Sequence, residues 1–280
     1  MKKPRLQGEA FLDDIRNAGN DPEHLHIWWL GQSGFLVLWD GSFLLVDPYL
    51  SDSLTEKYRD TNKPHVRVTE RVIAPERLDF ISIVASTHNH TDHLDACTLK
   101  PLMEVNPDIV VLVSAANLQF ASQRLGVDER RLTPITSSLP IVTGKWTFYA
   151  VPAAHEELSI DENGNHYCIG LVVRAGPWSL YHSGDTIRYE GMASLLRPFR
   201  IDVAMLPING RDLSRGVAGN LGGEEAVQLA VDCGIKTVIP CHYDMFEFNT
   251  VSPDWFVKAA EAAAQDYRVL ENGERLSLSR

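Results

Sequence analysis

Cysteine is scarce in this chain, and the four present, Cys97, Cys168, Cys233 and Cys241, share no paired spacing. Each stands in an apolar stretch, so they read as reduced core residues of a cytoplasmic protein. No apolar run reaches the ~18 residues that a membrane-spanning helix needs, and no membrane insertion is expected. Met1-Lys2-Lys3-Pro4 is basic, but no apolar segment follows it, so no secretory signal is expected either. Positive charge is also in short supply: 26 Lys and Arg stand against 37 Asp and Glu, a formal net charge of -11. That balance argues against nucleic acid or anionic membrane as a partner. A small anionic substrate, held by a few local Arg or Lys residues, stays compatible with it, and self-association is left open. No Pro/Gly/Ser-rich linker and no sequence repeat divide the chain. Its 280 residues are enough for one sizeable core, so residues 1–280 are expected to form a single domain.

What the chain does have is ordinary soluble-protein composition, 44% hydrophobic and 22% charged, and one unusual loop. Ser86-Thr87-His88-Asn89-His90-Thr91-Asp92-His93-Leu94-Asp95 follows Phe80–Ala85, an apolar, partly β-branched run that reads as a buried strand. After it, Leu94, Cys97, Thr98, Leu99 and Leu102 fall near helical spacing, which predicts a helix starting close to His93. Three of the 10 histidines of the chain sit in this loop, too dense for a chance surface segment. Imidazole and carboxylate are the ligands that borderline and hard divalent metals prefer. On an extended segment His88 and His90 point the same way. Asp92 and His93, at the turn into the helix, can face a second position beside the first.

Taken in order, His26–Leu30, Phe35–Trp39 and Phe43–Val46 read as strands, with the Asp40-Gly41 turn between the last two. The third ends on a carboxylate, Asp47, and Pro48 stops further pairing. Residues 51–71 turn polar, either a lid or a solvated connection. Ile109–Val113 reads as a strand, and Ala115–Leu125 as a helix stopped by Gly126. Strands follow at Ile141–Val142, Trp146–Val151, Tyr167–Arg174 and Trp178–His182, then a helical segment at Tyr189–Leu196 and a strand at Ile201–Leu206. A helix starting near Gly222 ends at Gly234, and Thr237–Cys241 is a strand. Ser252-Pro253 is a helix start, Ser capping and Pro in the first turn, and Phe256, Ala259, Ala260 and Ala263 trace its buried face. Asn272-Gly273 predicts a terminal hairpin. Two apolar-faced sheets covered by helices on their outer sides fit this order.

Three more polar positions stand at strand ends, where an α/β core presents functional groups. His155 follows Trp146–Val151, Asp185 follows Trp178–His182, and His242 follows Thr237–Pro240. With the first loop, they resemble the pattern of the metallo-β-lactamase-fold hydrolases, His-x-His-x-Asp-His followed by a separate His, Asp and His. The resemblance covers nearly the whole chain and implies a four-layer αββα sandwich with the site at one edge between the sheets. It makes His88, His90 and His155 ligands of one metal and Asp92, His93 and His242 ligands of a second, with Asp185 bridging. Asp47 would support the ligand loop from behind. Ile27–Gly31, Ser179–Asp185 and Val238-Ile239-Pro240 with His242 and Asp244 resemble the L-ascorbate-6-phosphate lactonase branch. Phospholipase-D-type members share the ligand pattern.

The implied chemistry is hydrolysis. Two divalent cations at ~3.5–4 Å can share and acidify a water and stabilise the charge developing on a carbonyl or phosphoryl oxygen. Zn or Mn is expected and Fe is accepted by an all-N/O ligand set. Asp185, Asp92 and His242 are the candidate catalytic residues, with Asp185 or His242 nearest to protonate the leaving group. Arg211 and Arg188, with Arg215 as a further option, could clamp an anion by paired hydrogen bonds, beside Asn209. Tyr243 and Asp244 flank His242 and could orient it. A lactone such as a sugar-phosphate lactone is the expected substrate, with a phosphodiester as the runner-up. A metal-holding regulatory protein without turnover and a di-iron redox protein are the alternatives of another class.

Overall fold

The structure, a computed structural model, describes residues 1–216 and 218–280. Its first element is α1 (Glu9–Gly19), a helix not anticipated above, which buries Phe11, Leu12, Ile15 and Ala18 along one face. Next come β1 (Leu25–Gly31), β2 (Gly34–Trp39) and β3 (Ser42–Val46), an antiparallel meander. The short helix α2 (Ser53–Lys57) lies in the 51–71 excursion. This excursion is packed at Arg67, which is buried and donates to the Ser51 carbonyl at 2.5 Å and Asp52 Oδ1 at 2.7 Å. β4 (Ile83–Ser86), β5 (Val110–Ser114) and β6 (Leu132–Ile135) extend the sheet in parallel, with α3 (Ala96–Val105) and α4 (Leu118–Leu125) in the crossovers.

The second sheet repeats that plan. β7 (Ile141–Thr143), β8 (Trp146–Pro152), β9 (Ile169–Ala175) and β10 (Trp178–His182) are antiparallel. α5 (Met192–Leu196), β11 (Val203–Pro207), α6 (Gly223–Cys233), β12 (Thr237–Cys241), α7 (Asp254–Ala262) and β13 (Asp266–Tyr267) complete it, the strands running parallel. Finally β14 (Arg275–Leu278) returns to the first sheet and pairs antiparallel with β1. The orders are β14-β1-β2-β3-β4-β5-β6 and β13-β12-β11-β10-β9-β8-β7. These two mixed sheets with helices against them are the expected α/β sandwich.

Period-two alternation explains why β1 is buried along its whole length. Ile27 and Trp29 face inward and join Phe35, Val37, Trp146, Phe148 and Val173 in the core between the sheets. Trp28 and Leu30 face outward and pack with Phe11, Ile15, Leu99 and Leu102 of the covering helices. A strand covered on both sides loses the apolar–polar alternation that would reveal its register.

Several expectations need correction. The helix after the His-rich loop starts at Ala96 rather than near His93. The Asp95 carboxylate, gripped by Ser51 Oγ at 2.6 Å, Ser53 Oγ at 2.8 Å and Thr98 Oγ1 at 2.6 Å, caps it there. Tyr189–Leu196 is helical only from Met192, where Gly191 in a left-handed conformation turns the chain. At α7, Pro253 takes the cap position and Ser252 Oγ accepts from Asp254 N one residue upstream of it. Phe256 and Ala260 are buried there, whereas Ala263 is exposed past the helix end. Asn272-Gly273 makes no hairpin, because the flanking strands β13 and β14 belong to different sheets. All four cysteines are free, but Cys97 is exposed and Cys168 half-buried, so only Cys233 and Cys241 are core residues.

Candidate metal centre

Parallel pairing of β3 with β4 sets Val46 opposite Ala85, so Asp47 and the His-rich loop leave the sheet side by side. Asp47 is fully buried and accepts three hydrogen bonds, from Thr87 N at 2.7 Å, Thr87 Oγ1 at 2.6 Å and His93 Nδ1 at 2.6 Å. With the Nδ1 hydrogen committed to Asp47, the other ring nitrogen of His93 is turned to the centre. On the far side Gly184, at φ 60°, follows β10. A Cβ there would lie 2.8 Å from the Ile169 carbonyl and 2.9 Å from the Thr87 side chain. Only glycine lets the end of β10 approach the loop closely enough to bring Asp185 in.

The candidate ligands of both sheets converge. His88, His90 and His155 form one group, His88, His93 and Asp185 a second, and Asp92, His93 and His242 a third, with donor atoms in each group within 4.8 Å of one another. Asp185 stands between them: Oδ1 is 3.3 Å from His93 Nε2, and Oδ2 is 3.1 Å from His242 Nε2 and 3.7 Å from His155 Nε2. Asp47, Gln32 and His242 all hold left-handed backbone at φ 45°, 51° and 62°. Such strain, of order 1–3 kcal/mol per residue, gathers at functional sites.

His88 Nε2, His93 Nε2 and Asp185 Oδ1 are buried with no hydrogen-bond partner. A buried polar atom left unpaired costs about 1–3 kcal/mol, and three of them at the junction of the donor groups fit bound cations that would satisfy them. Five imidazoles and two carboxylates suit Zn, Mn or Fe. The electrostatics agree. Burial would push the His93 imidazolium down, but Asp185, Asp47 and Asp92 outweigh it and hold its pKa well above the usual value. Likewise, burial opposes the charge of Asp185, yet His242 and His93 pull its pKa well below the carboxylate range. His88, with burial first and the charge of His93 second, is held well below the usual imidazole range. Cys241 belongs to the core between the sheets and to none of the donor groups.

A cavity of about 410 Å³ opens over His90, Asp92, His155, Asp185 and His242. The residues expected at the substrate do not border it. Arg211 is half-exposed and ion-paired with Glu225 at 2.8 Å. Arg188 is engaged by Asp232, and Arg215 donates to the Asn209 carbonyl at 2.7 Å. Asn209 is buried one layer back, bonded to Asn249 and Asn220 at 3.1 Å each. Tyr243 stacks on Trp29 with centroids 4.8 Å apart, and the Asp244 carboxylate bonds Lys2 Nζ. His242 is oriented instead by Gln32, whose backbone carbonyl accepts from His242 N at 2.9 Å. The Gln32 Nε2 also donates to Asp92 Oδ2 at 2.9 Å and lies 3.1 Å from His242 Nε2. In the sequence Gln32 is only a polar side chain in the connection between two strands, which carries no signal of this role. Lys57 and Arg124 are the cationic residues that do border the cavity. Arg124 also donates to the Asn89 carbonyl at 2.6 Å, propping the ligand loop.

Comparison with known proteins agrees with this architecture. The beta-lactamase superfamily domain profile matches residues 43–243. A UPF0173 metal-dependent hydrolase of Metallosphaera sedula is 24% identical over 257 residues, covering 90% of this chain and 99% of that protein. Another, of Archaeoglobus fulgidus, is 28% identical over 257 residues, covering 88% and 95%. Among solved structures, an isothiocyanate hydrolase from Delia radicum gut bacteria superposes with a TM-score of 0.72 at 16% identity, covering 91% of this chain and 100% of that one.

Proposed function

Since this chain belongs to the beta-lactamase superfamily, we propose that it is a dinuclear hydrolase of a small, anionic ester, a lactone or a phosphoester. That it is a metal-dependent hydrolase of that superfamily follows from the kinship and the donor groups together. The dinuclear assignment is supported by one observation: three buried donor atoms without partners, at the junction of donor groups supplied by both sheets.

In this reading His88, His90 and His155 would hold one metal and Asp92, His93 and His242 the other, with Asp185 the carboxylate within reach of both donor groups. When bound, such metals supply Lewis acidity and lower the pKa of water. The chain supplies the rest. Asp47 fixes the His93 ring through Nδ1, and Gln32 fixes Asp92 and His242. Asp92, which borders the cavity, has a carboxylate that can accept the proton of an attacking water, and Lys57 and Arg124, which also border it, would receive the anionic group. No Ser or Cys nucleophile is needed.

The test is metal analysis of protein purified without chelator, alongside a panel of lactones, phosphomonoesters and phosphodiesters. Close to two equivalents of metal and chelator-sensitive turnover of one class are expected. One equivalent or none, after Zn and Mn were supplied during expression, would sink the dinuclear reading. Full metal content with no turnover of any ester would favour a non-catalytic metal protein.

A further inference from the structure

A second group of side chains borders the same cavity and plays no part in holding a metal. Tyr58 stacks on His65 with centroids 4.2 Å apart and planes inclined by 21°. His65 meets Phe248 edge-on at 4.5 Å and Phe246 at 5.1 Å. All four rings line the cavity, together with Leu54. His65 Nδ1 lies 3.0 Å from the Lys63 carbonyl. A carbonyl can only accept, so Nδ1 carries the hydrogen and the ring orientation is held. Burial lowers the His65 pKa, which leaves the ring neutral and able to pack with apolar groups.

The rings come from two distant segments, the 51–71 excursion and the chain after β12. Tyr58, Phe246 and Phe248 share a small cluster with Tyr49, Leu54 and Met245, separate from the two larger cores, and His65 packs against those three rings. Phe246 is buried in that cluster, whereas Tyr58, His65 and Phe248 are only half-buried and keep surface facing the cavity. A cluster that served packing alone would not need to border the cavity that holds Asp92 and His242. Substrate pockets combine such apolar walls with a few convergent polar groups.

We infer that Tyr58, His65, Phe246 and Phe248 form a subsite for a flat, apolar group of aromatic-ring size, carried by the substrate a few atoms from the bond that is cleaved. The inference rests on the hydrolase reading for the position of that bond, but the subsite itself is a matter of binding. It narrows the substrate from small anionic esters in general to those bearing an aryl or similarly flat group. The anionic end then meets the metal side of the cavity while the ring is stacked or met edge-on by the aromatic wall.

Two phosphonates that need no turnover test it by calorimetry on the protein with its metals bound. Methylphosphonate has the anionic group alone, and benzylphosphonate adds one ring. Wild type is expected to bind benzylphosphonate ~10-fold or more tightly than methylphosphonate, as burial of a ring at an apolar wall predicts. Phe248→Ala should reduce that preference at least threefold and leave methylphosphonate affinity unchanged. Phe248→Leu keeps most of the volume and tolerates folding better, and it should reduce the preference by a smaller factor. Equal affinities for the two phosphonates in wild type would overturn the subsite. So would an unchanged preference in folded Phe248→Ala or Phe248→Leu, since the rings would then serve only packing. If the ring preference holds while no ester is hydrolysed, the subsite stands and the hydrolase reading alone fails.

Discussion

The two sheets follow one plan, an antiparallel meander extended by parallel strands, yet they deliver their functional groups differently. The first sheet places His88, His90, Asp92 and His93 on one loop after β4, with Asp47 behind them at the end of β3. The second sheet delivers one residue per strand end: His155 after β8, Asp185 after β10 and His242 after β12. A loop can carry four donors only if something rigid holds it. Here that is a buried carboxylate with three hydrogen bonds. Single donors at strand ends start from positions that the hydrogen-bonded ladder fixes, with a further tie at His155 to the Gly219 carbonyl and at His242 to Gln32. The first sheet therefore concentrates its dependence on Asp47, and the second spreads it over three strands.

The comparison breaks most sharply at Asp185, the second-sheet residue that touches donor groups from both halves. Asp185→Asn should lower kcat/KM about 10²–10³-fold, the scale of losing a charge placed for the transition state. The circular dichroism spectrum should be unchanged. Activity within tenfold of wild type would show that the halves do not depend on this link.

Asp47 comes next. Asp47→Ala leaves Thr87 N and His93 Nδ1 without their buried acceptor, which should cost about 3–5 kcal/mol in denaturant unfolding and weaken metal affinity about 10–100-fold. His155→Ala, which removes a single second-sheet donor, should weaken metal affinity while destabilising the metal-free fold by much less. If the two variants unfold at the same denaturant concentration, the contrast between a concentrated and a distributed support is wrong.

Gln32→Ala removes the amide that reaches from Asp92 to His242 across the two halves. One hydrogen bond to a charged group is worth about 1.5–3 kcal/mol, so a loss of activity of about 10- to 100-fold is expected, with metal content retained. Wild-type kcat and KM would mean that the ligands hold themselves in place.

The smallest effect is expected at Arg211. Paired with Glu225 and half-exposed, it belongs to neither set of donors and does not border the cavity. Arg211→Ala should change KM less than threefold, and thermal stability should move by no more than about 0.5 kcal/mol. Lys57→Ala, at the cavity wall, should raise KM more than Arg211→Ala does. The reverse order would return Arg211 to the substrate.

The order of amino acids alone carries the donor-rich character of the site and most of the elements around it. Four candidate donors within six residues, after an apolar β-branched run, signal themselves through composition and local spacing. Glycines 126 and 234 announced two helix ends, where both adopt the left-handed conformation. Thr237–Cys241 needed no adjustment at all. Features that rest on contacts between distant residues were not legible. Helix α3 starts at Ala96 because Ser51 and Ser53 hold Asp95 from more than 40 positions away. Asn272-Gly273 looked like a hairpin because a local turn signal cannot say which sheet the next strand will join. Arg211 looked free to clamp a substrate until Glu225, 14 residues on, was brought beside it by the start of α6. Gln32 and the aromatic wall of Tyr58, His65 and Phe248 carry no local pattern. Their roles arise only when the two sheets set the first connection and the 51–71 excursion beside the chain after β12. Local spacing reports what a segment can do, but which side chains meet across a cavity is decided by packing between segments, and that information lies in no single stretch of the chain.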